Sequence, residues 1–224
     1  LGLRSYNRQE LSSAHVNLAN YYYRQGDVSQ ANEHLSQAHA AFPGFALVRY
    51  LQAFVMFNSG EPEKALDILR PLIAEGRHPF DDHYLMAQIL LKSGNREDAI
   101  VHLQNCLNVL PDSAKAQTLM GIALSLKGNQ ERAEWFLGLA LNRSPGDKQA
   151  LLWMIDCQLQ RSEPAAAAGY ASQFLEGVPT DQIEASIRKA LDNNLMPVDV
   201  RERLSRWIWL HAHEQKSRTL KIFP

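Results

Sequence analysis

Eight histidines, two cysteines and 24 carboxylate side chains are the residues of this 224-residue chain with chemistry to offer. His34 and His39 are five residues apart and His211 and His213 two apart, so neither pair shares a helical face as i,i+4 metal ligands do. Cys106 and Cys157 stand 51 residues apart with no CxxC spacing, which reads as two small, semi-buried hydrophobes. Glu61/Glu63 and Asp81/Asp82 fall at expected helix starts, where carboxylates favour the helix dipole without forming an acid–base pair. There is no GxSxG, no phosphate-binding glycine loop, no HExxH and no GxGxxG. The expectation is a chain without catalytic residues, metal ligands or a cofactor.

Composition narrows the class. The chain is 46% hydrophobic and 21% charged with a net charge of −1. That balance argues against a dedicated nucleic-acid binder and against bulk disorder. Apolar runs such as Phe54-Val55-Met56-Phe57 fall far short of the roughly 18 residues of a membrane span. Beginning on Leu1 instead of Met, the chain reads as an excised piece or a processed form, which leaves an upstream signal, anchor or further domain open. A soluble, cytoplasmic setting is slightly favoured.

The elements that position any surface follow from an internal period. Gly26, Gly60, Gly94 and Gly128 are spaced by 34 residues, and so are Ala31, Ala65, Ala99, Ala133 and Ala167. Leu35, Leu69, Leu103 and Leu137 keep the same spacing, as do Pro43, Pro111, Pro145 and Pro179 with Arg77 in the vacant slot. Four columns in one register divide the chain at 12–45, 46–79, 80–113, 114–147 and 148–181. Each unit reads as two helices. Ala114 to Lys127 carries a wide apolar face, and Gly128 follows where a left-handed residue ends a helix. The second helix, about Gln130 to Arg143, turns Ala133, Phe136, Leu137, Ala140 and Leu141 inward before Pro145 stops it. The small Ala of every second helix marks a close helix crossing. Pro62 and Pro164 suit first-turn positions. His15 and His83 share one repeat position, which assigns them to packing.

This pattern resembles the tetratricopeptide repeat family. That family favours a small residue at repeat position 8, here Ala19, Ala53, Ala87 and Gly121, and Ala at position 20, here present in all five units. Position 27 is Ala38, Leu72, Cys106, Ala140 and Phe174. The resemblance covers about three quarters of the chain and implies an all-α, right-handed solenoid of antiparallel helix pairs. The departures are His15, Arg49, His83 and Gln117 at the usually apolar position 4, and Ile155 and Ser162 in a degenerate fifth unit. The 34-residue period separates the chain from the 35-residue RNA-reading pentatricopeptide repeats. Residues 1–11 are a lead-in. Residues 182–216 lose the signature but keep apolar stripes at Ile183, Ile187, Leu191 and at Val200, Leu204, Trp207, Ile208, His211, broken by Asn193-Asn194 and Pro197. They read as a helical cap, which terminal repeats need. Residues 217–224 are a basic and apolar tail.

The resemblance also implies that positions 2, 5, 9, 12 and 13 of each unit line a concave groove. In units one to three these supply Asn20, Tyr23 and Arg24, then Tyr50, Phe54, Phe57 and Asn58, then Tyr84, Gln88, Leu91 and Lys92; unit four adds Ile122. Rigid aromatics give contact area at low entropy cost, and Asn, Gln and Arg satisfy a peptide backbone. The segment Ala46 to Phe57 is apolar nearly all round, so a partner, an upstream segment or another copy is expected to cover it. The two-carboxylate clamp of some co-chaperones in this family is absent, since Val16, Leu51, Asp81 and Leu85 depart from it and only Asn20 matches.

The expected function is a non-catalytic protein–protein interaction scaffold. It would receive a peptide or helical segment of another protein, as an assembly or chaperone-like component of a larger complex. The alternative is a regulatory or targeting domain of a larger enzyme or membrane-anchored polypeptide. Self-association through exposed apolar surface or the Trp209–Leu210 region is a further option. Nucleic acid is not expected as a partner, because residues 12–181 carry 13 basic and 18 acidic side chains.

Overall fold

The glycine column fixes where first helices stop. Gly26, Gly60, Gly94 and Gly128 all adopt the left-handed conformation, with φ between 81° and 88°. No Cβ opposes that geometry, so the chain reverses within two or three residues of each helix end. In the fifth unit Ser162 holds the same conformation at φ 62°, without the glycine. The next helices then start on side-chain caps. Asp27, Asn95 and Asn129 each accept a hydrogen bond from the backbone N–H three residues on, and Ser113 and Asp147 do the same at the starts of first helices. Pro62 and Pro164 occupy first-turn positions, as their missing N–H allows.

The computed structural model describes residues 2–192 and 195–222; side chains are described over 7–179, 181–192 and 195–214. Leu1, the expected break at Asn193-Asn194 and the side chains of the 217–224 tail lie outside these ranges. Among the described residues there are twelve α-helices, one short 3-10 turn and no strand. The helices are α1 (Gly2–Arg24), α2 (Val28–Ala41), α3 (Ala46–Asn58), α4 (Pro62–Glu75), α5 (Pro79–Lys92) and α6 (Arg96–Val109). They continue as α7 (Ala114–Leu126), α8 (Gln130–Arg143), α9 (Lys148–Gln160), α10 (Pro164–Phe174), α11 (Ile183–Leu191) and α12 (Val198–Ile222). Helix α1 already includes residues 2–11 of the lead-in, and α12 runs unbroken past residue 216.

Two compact units divide the chain, Leu1–Ile89 and Leu90–Pro224. In the first, α2 packs on both α1 and α3, and α3 on α4. Its core gathers Val16, Ala19, Leu35, Ala38, Val48 and Val55. In the second, α7 packs on α6 and α8, and α9 on α8 and α10. The hairpin of α11 and α12 lies against α9, and α12 also against α10, with Leu204 and Ile208 fully buried. Successive helix pairs of this kind make the fold class an all-α solenoid.

The alanine column does what its spacing predicts. Ala31, Ala65, Ala99, Ala133 and Ala167 have no solvent exposure at all, and the leucine column is buried with them. The helices meet at these points with room for a methyl group only. Position 8 is tighter still in the α7–α8 pair, where a Cβ on Gly121 would stand 2.6 Å from Leu137 Cγ.

Candidate functional site

The first unit brings the aromatic set together through helical spacing alone. Tyr50, Phe54, Phe57 and Asn58 recur at steps of three and four along α3, so they share one side of it. Asn20, Tyr23 and Arg24 do the same near the end of α1. The rings of Tyr23 and Phe54 meet edge to face with centroids 5.8 Å apart, joining α1 to α3. Both pack against the core of Val16, Ala19 and Val55 while remaining half-buried. Phe57 is also half-buried, and Asn20, Arg24 and Asn58 are exposed. The Asn58 side chain is turned back on its own helix, its Nδ2 donating to the Phe54 carbonyl at 2.8 Å. Val48, Ala53 and Val55 are buried in the unit, while Leu47 is exposed and the aromatic side is half open.

Helix α5 adds Tyr84 and Gln88, both half-buried, with Tyr84 stacked on Phe80 at 5.9 Å. Burial pushes the Tyr50 hydroxyl up to about 12, and the carboxylates of Asp81 and Asp82 add to the shift. Tyr50 is thus a neutral hydrogen-bonding group at any physiological pH. Asp82 carries a feature that helix-start reasoning misses. It is fully buried, and neither carboxyl oxygen has a hydrogen-bond partner. Burial first, then neighbouring Asp81, hold its carboxyl above the ordinary range against the opposing pull of His78 and Arg49. Its repeat register is the available signal: the same position holds Val48, Ala116 and Ala150, all buried apolar residues.

Three residues expected on the groove belong to the other compact unit. Lys92 is exposed there. Leu91 and Ile122 are a correction: Leu91 is 5% exposed and Ile122 not at all, so neither offers surface to a partner. For Ile122 the reason is packing. Positions 116–125 of α7 and 150–158 of α9 are buried without interruption, so these helices are enclosed on all sides by their neighbours.

The last helices carry a polar link into that enclosed region. Asp156 of α9, fully buried, accepts from Arg203 of α12 at 2.5 Å and from Gln160 at 2.5 Å. Gln160 in turn accepts from Gln130 at 2.6 Å. Burial is the main cause raising the nearby Cys157 thiol to about 12, which leaves it an unreactive thiol. Trp209, 41% exposed, stacks on His213 and lines a cleft of about 750 Å³ between α11 and α12 with Ile187, Leu191, Arg201 and Arg206. Among the described residues no group of three or more His, Cys, Asp or Glu is placed to hold a metal ion, and no helix is long and apolar enough to cross a membrane.

Comparison with known proteins agrees with this geometry. Residues 22–89 match the tetratricopeptide repeat family. No curated protein matches the sequence. Among solved structures, PilF of Pseudomonas aeruginosa is 20% identical with a TM-score of 0.71, covering 95% of this chain and 93% of its own. PilW, described as a widely conserved type IV pilus biogenesis factor, is 18% identical with a TM-score of 0.69, covering 86% of this chain and 90% of its own. YrrB, described as a tetratricopeptide repeat protein with an unusual peptide-binding site, is 16% identical with a TM-score of 0.60, over 78% of this chain and 90% of its own. At these identities the likeness is one of fold. Residues 22–89 thus carry the tetratricopeptide repeat signature, and the stacked helix pairs give the chain the fold of the tetratricopeptide repeat structures it resembles.

Proposed function

We propose that the chain is a non-catalytic scaffold that receives a peptide or helical segment of another protein on the α1–α3–α5 side of its first unit, as an assembly component of a larger complex. The observation that carries this reading is the half-buried aromatic set itself. Tyr23 and Phe54 are held by core packing and Tyr84 by stacking on Phe80, Tyr50 is half-buried near Asp81 and Asp82, all four keep a face toward solvent, and exposed Asn20 and Arg24 flank them. Preordered rings lose little entropy on binding, so they make strong anchors. The peptide-binding site ascribed to YrrB, a protein of like fold, supports the same use of this architecture. In this reading the five units over 12–181 are the scaffold and 182–216 close its end.

The test is recovery of partners from the native extract with three variants. Phe54→Ala should weaken capture by roughly 1–4 kcal/mol, the range for a buried anchor. Phe54 also packs on the Val16 and Val55 core, so its loss costs folding stability too. Exposed Arg24→Glu separates the two effects, because it leaves that core intact and should still reduce capture. Trp135→Ala, at a residue of α8 that is 60% exposed, should change nothing. Capture that survives Phe54→Ala and Arg24→Glu but fails with Trp135→Ala would place binding on α8 of the second unit and overturn this reading.

A further inference from the structure

The first hairpin joins two histidines that the sequence holds 19 residues apart. His15 Nδ1 of α1 and His34 Nδ1 of α2 are 3.2 Å apart. Their ring centroids are 5.4 Å apart with planes inclined by 27°. The nitrogens are closer than the ring centres by about two ring radii, so they point at one another across the helix pair. The Tyr22 ring lies on His34 at 5.3 Å and 17°, which restrains its rotation. The same two helices hold Ser12 Oγ, Asn32 Oδ1 and His39 Nδ1, all buried without a hydrogen-bond partner. Polar groups are therefore more numerous here than the hairpin's own bonds satisfy.

Two neutral imidazoles share such a contact only if one ring is the Nδ1–H tautomer and the other the Nε2–H tautomer. A metal ion accepts both lone pairs once both rings carry the proton on Nε2. Two nitrogens bound at 2.0–2.1 Å and a tetrahedral angle apart stand about 3.3–3.4 Å from each other. The observed 3.2 Å is within a small ring rotation of that value. The repeat supplies an independent sign. His83 and His102 occupy the same two repeat positions 68 residues further on, so the histidine pair recurs in the sequence where Arg49 with Ile68, Gln117 with Phe136, and Leu151 with Tyr170 stand in the other units.

We propose that His15 and His34 form a two-nitrogen chelate for a borderline divalent transition-metal ion, Zn²⁺, Ni²⁺ or Cu²⁺, on the α1–α2 hairpin. Water completes the coordination, since among the described residues no third His, Cys, Asp or Glu is placed to join. An all-imidazole donor pair of this kind selects such ions over Mg²⁺ and Ca²⁺, which take oxygen ligands. A bound ion ties α1, the helix that carries Asn20, Tyr23 and Arg24, to α2. Because the pair is assembled only in the folded hairpin, the ion stabilises the folded state.

The experiment titrates ZnCl2 and NiCl2 into the full chain by calorimetry in a non-chelating buffer, alongside His15→Gln, His34→Gln, His39→Gln and His213→Gln variants. Wild type, His39→Gln and His213→Gln should show the same binding. His15→Gln and His34→Gln should each lose at least about tenfold in affinity. Metal should raise the melting temperature of wild type and leave that of His15→Gln and His34→Gln unchanged. In the unsubstituted protein, Cu²⁺ at substoichiometric amounts should broaden the His15 and His34 ring resonances before those of the other histidines, a readout independent of how the variants fold. Absence of saturable binding, equal affinity in all the variants, or first broadening at His211 and His213 overturns the proposal.

Discussion

Gly121→Ala tests whether helix propensity or helix crossing governs the second unit. In an open helix the change is favourable, because Ala is better than Gly by roughly 0.8–1.0 kcal/mol. Here the new Cβ would stand 2.6 Å from Leu137 Cγ, 2.9 Å from Leu137 Cδ2 and 3.1 Å from the Ala133 carbonyl. Leu137 and Ala133 have no solvent exposure, so neither has a free direction in which to yield. Overpacking of such a site costs about 1–3 kcal/mol. The net effect is a loss of roughly 0–2 kcal/mol, the difference of those two ranges. Gly138 and Gly169 provide the reference, since both lie inside helices with nothing within 4 Å of an added Cβ. Gly138→Ala should stabilise by roughly 0.5–1 kcal/mol. Urea unfolding followed by circular dichroism reads the opposite signs directly as midpoints moving in opposite directions. A Gly121→Ala midpoint that rises as far as that of Gly138→Ala would refute the close-crossing account of position 8.

Two further substitutions probe places where the chain departs from its own repeat. Ser162→Gly should stabilise by roughly 0.5–1 kcal/mol, because Ser holds a left-handed φ of 62° where the other units have Gly; an unchanged urea midpoint would mean the strain is negligible. Asp82→Ala restores the apolar residue of its column and should stabilise at neutral pH by on the order of 1 kcal/mol, the cost of a buried polar group without a partner. Its pH dependence has a fixed sign: a carboxyl raised in the folded state favours folding below its unfolded pKa and loses that contribution as pH rises through its folded value. Urea midpoints of wild type and Asp82→Ala should thus converge on acidification and separate from mildly acidic pH upward. A constant gap across that range would show that Asp82 titrates normally.

The period made the fold legible because each column has one physical duty. Glycine reversals, buried alanines and buried leucines all follow from residue types 34 apart, and the structure uses them as turn, crossing and core. Aromatic residues were equally readable on α3, where steps of three and four leave one choice of side. Contacts between helices were not readable in the same way. His15 and His34 look unrelated along the chain and meet only because α1 and α2 fold back antiparallel. Asp82 looked like an ordinary first-turn carboxylate, since a dipole argument on one helix carries no information about what packs beside it. Reading it in register with Val48, Ala116 and Ala150 would have exposed it as a polar residue in a core column.

Leu91 and Ile122 show the limit of carrying groove positions from unit to unit. A repeat position defines a direction on its own helix, but whether that direction faces solvent depends on what the neighbouring helices do. In the second unit α9 is covered by α8, α10, α11 and α12, and Arg203 reaches the buried Asp156 at repeat position 9, one of the positions expected to line a groove. The chain's own C-terminal hairpin thus fills that side of α9. In the first unit the corresponding positions on α1 and α3 carry Tyr23, Tyr50, Phe54 and Phe57, each half-buried. Tyr23 and Phe54, packed on the core yet half open, are arranged to gain most from a further contact, because their ordering cost is already met by folding. That asymmetry is the physical reason to look for the partner on the first unit.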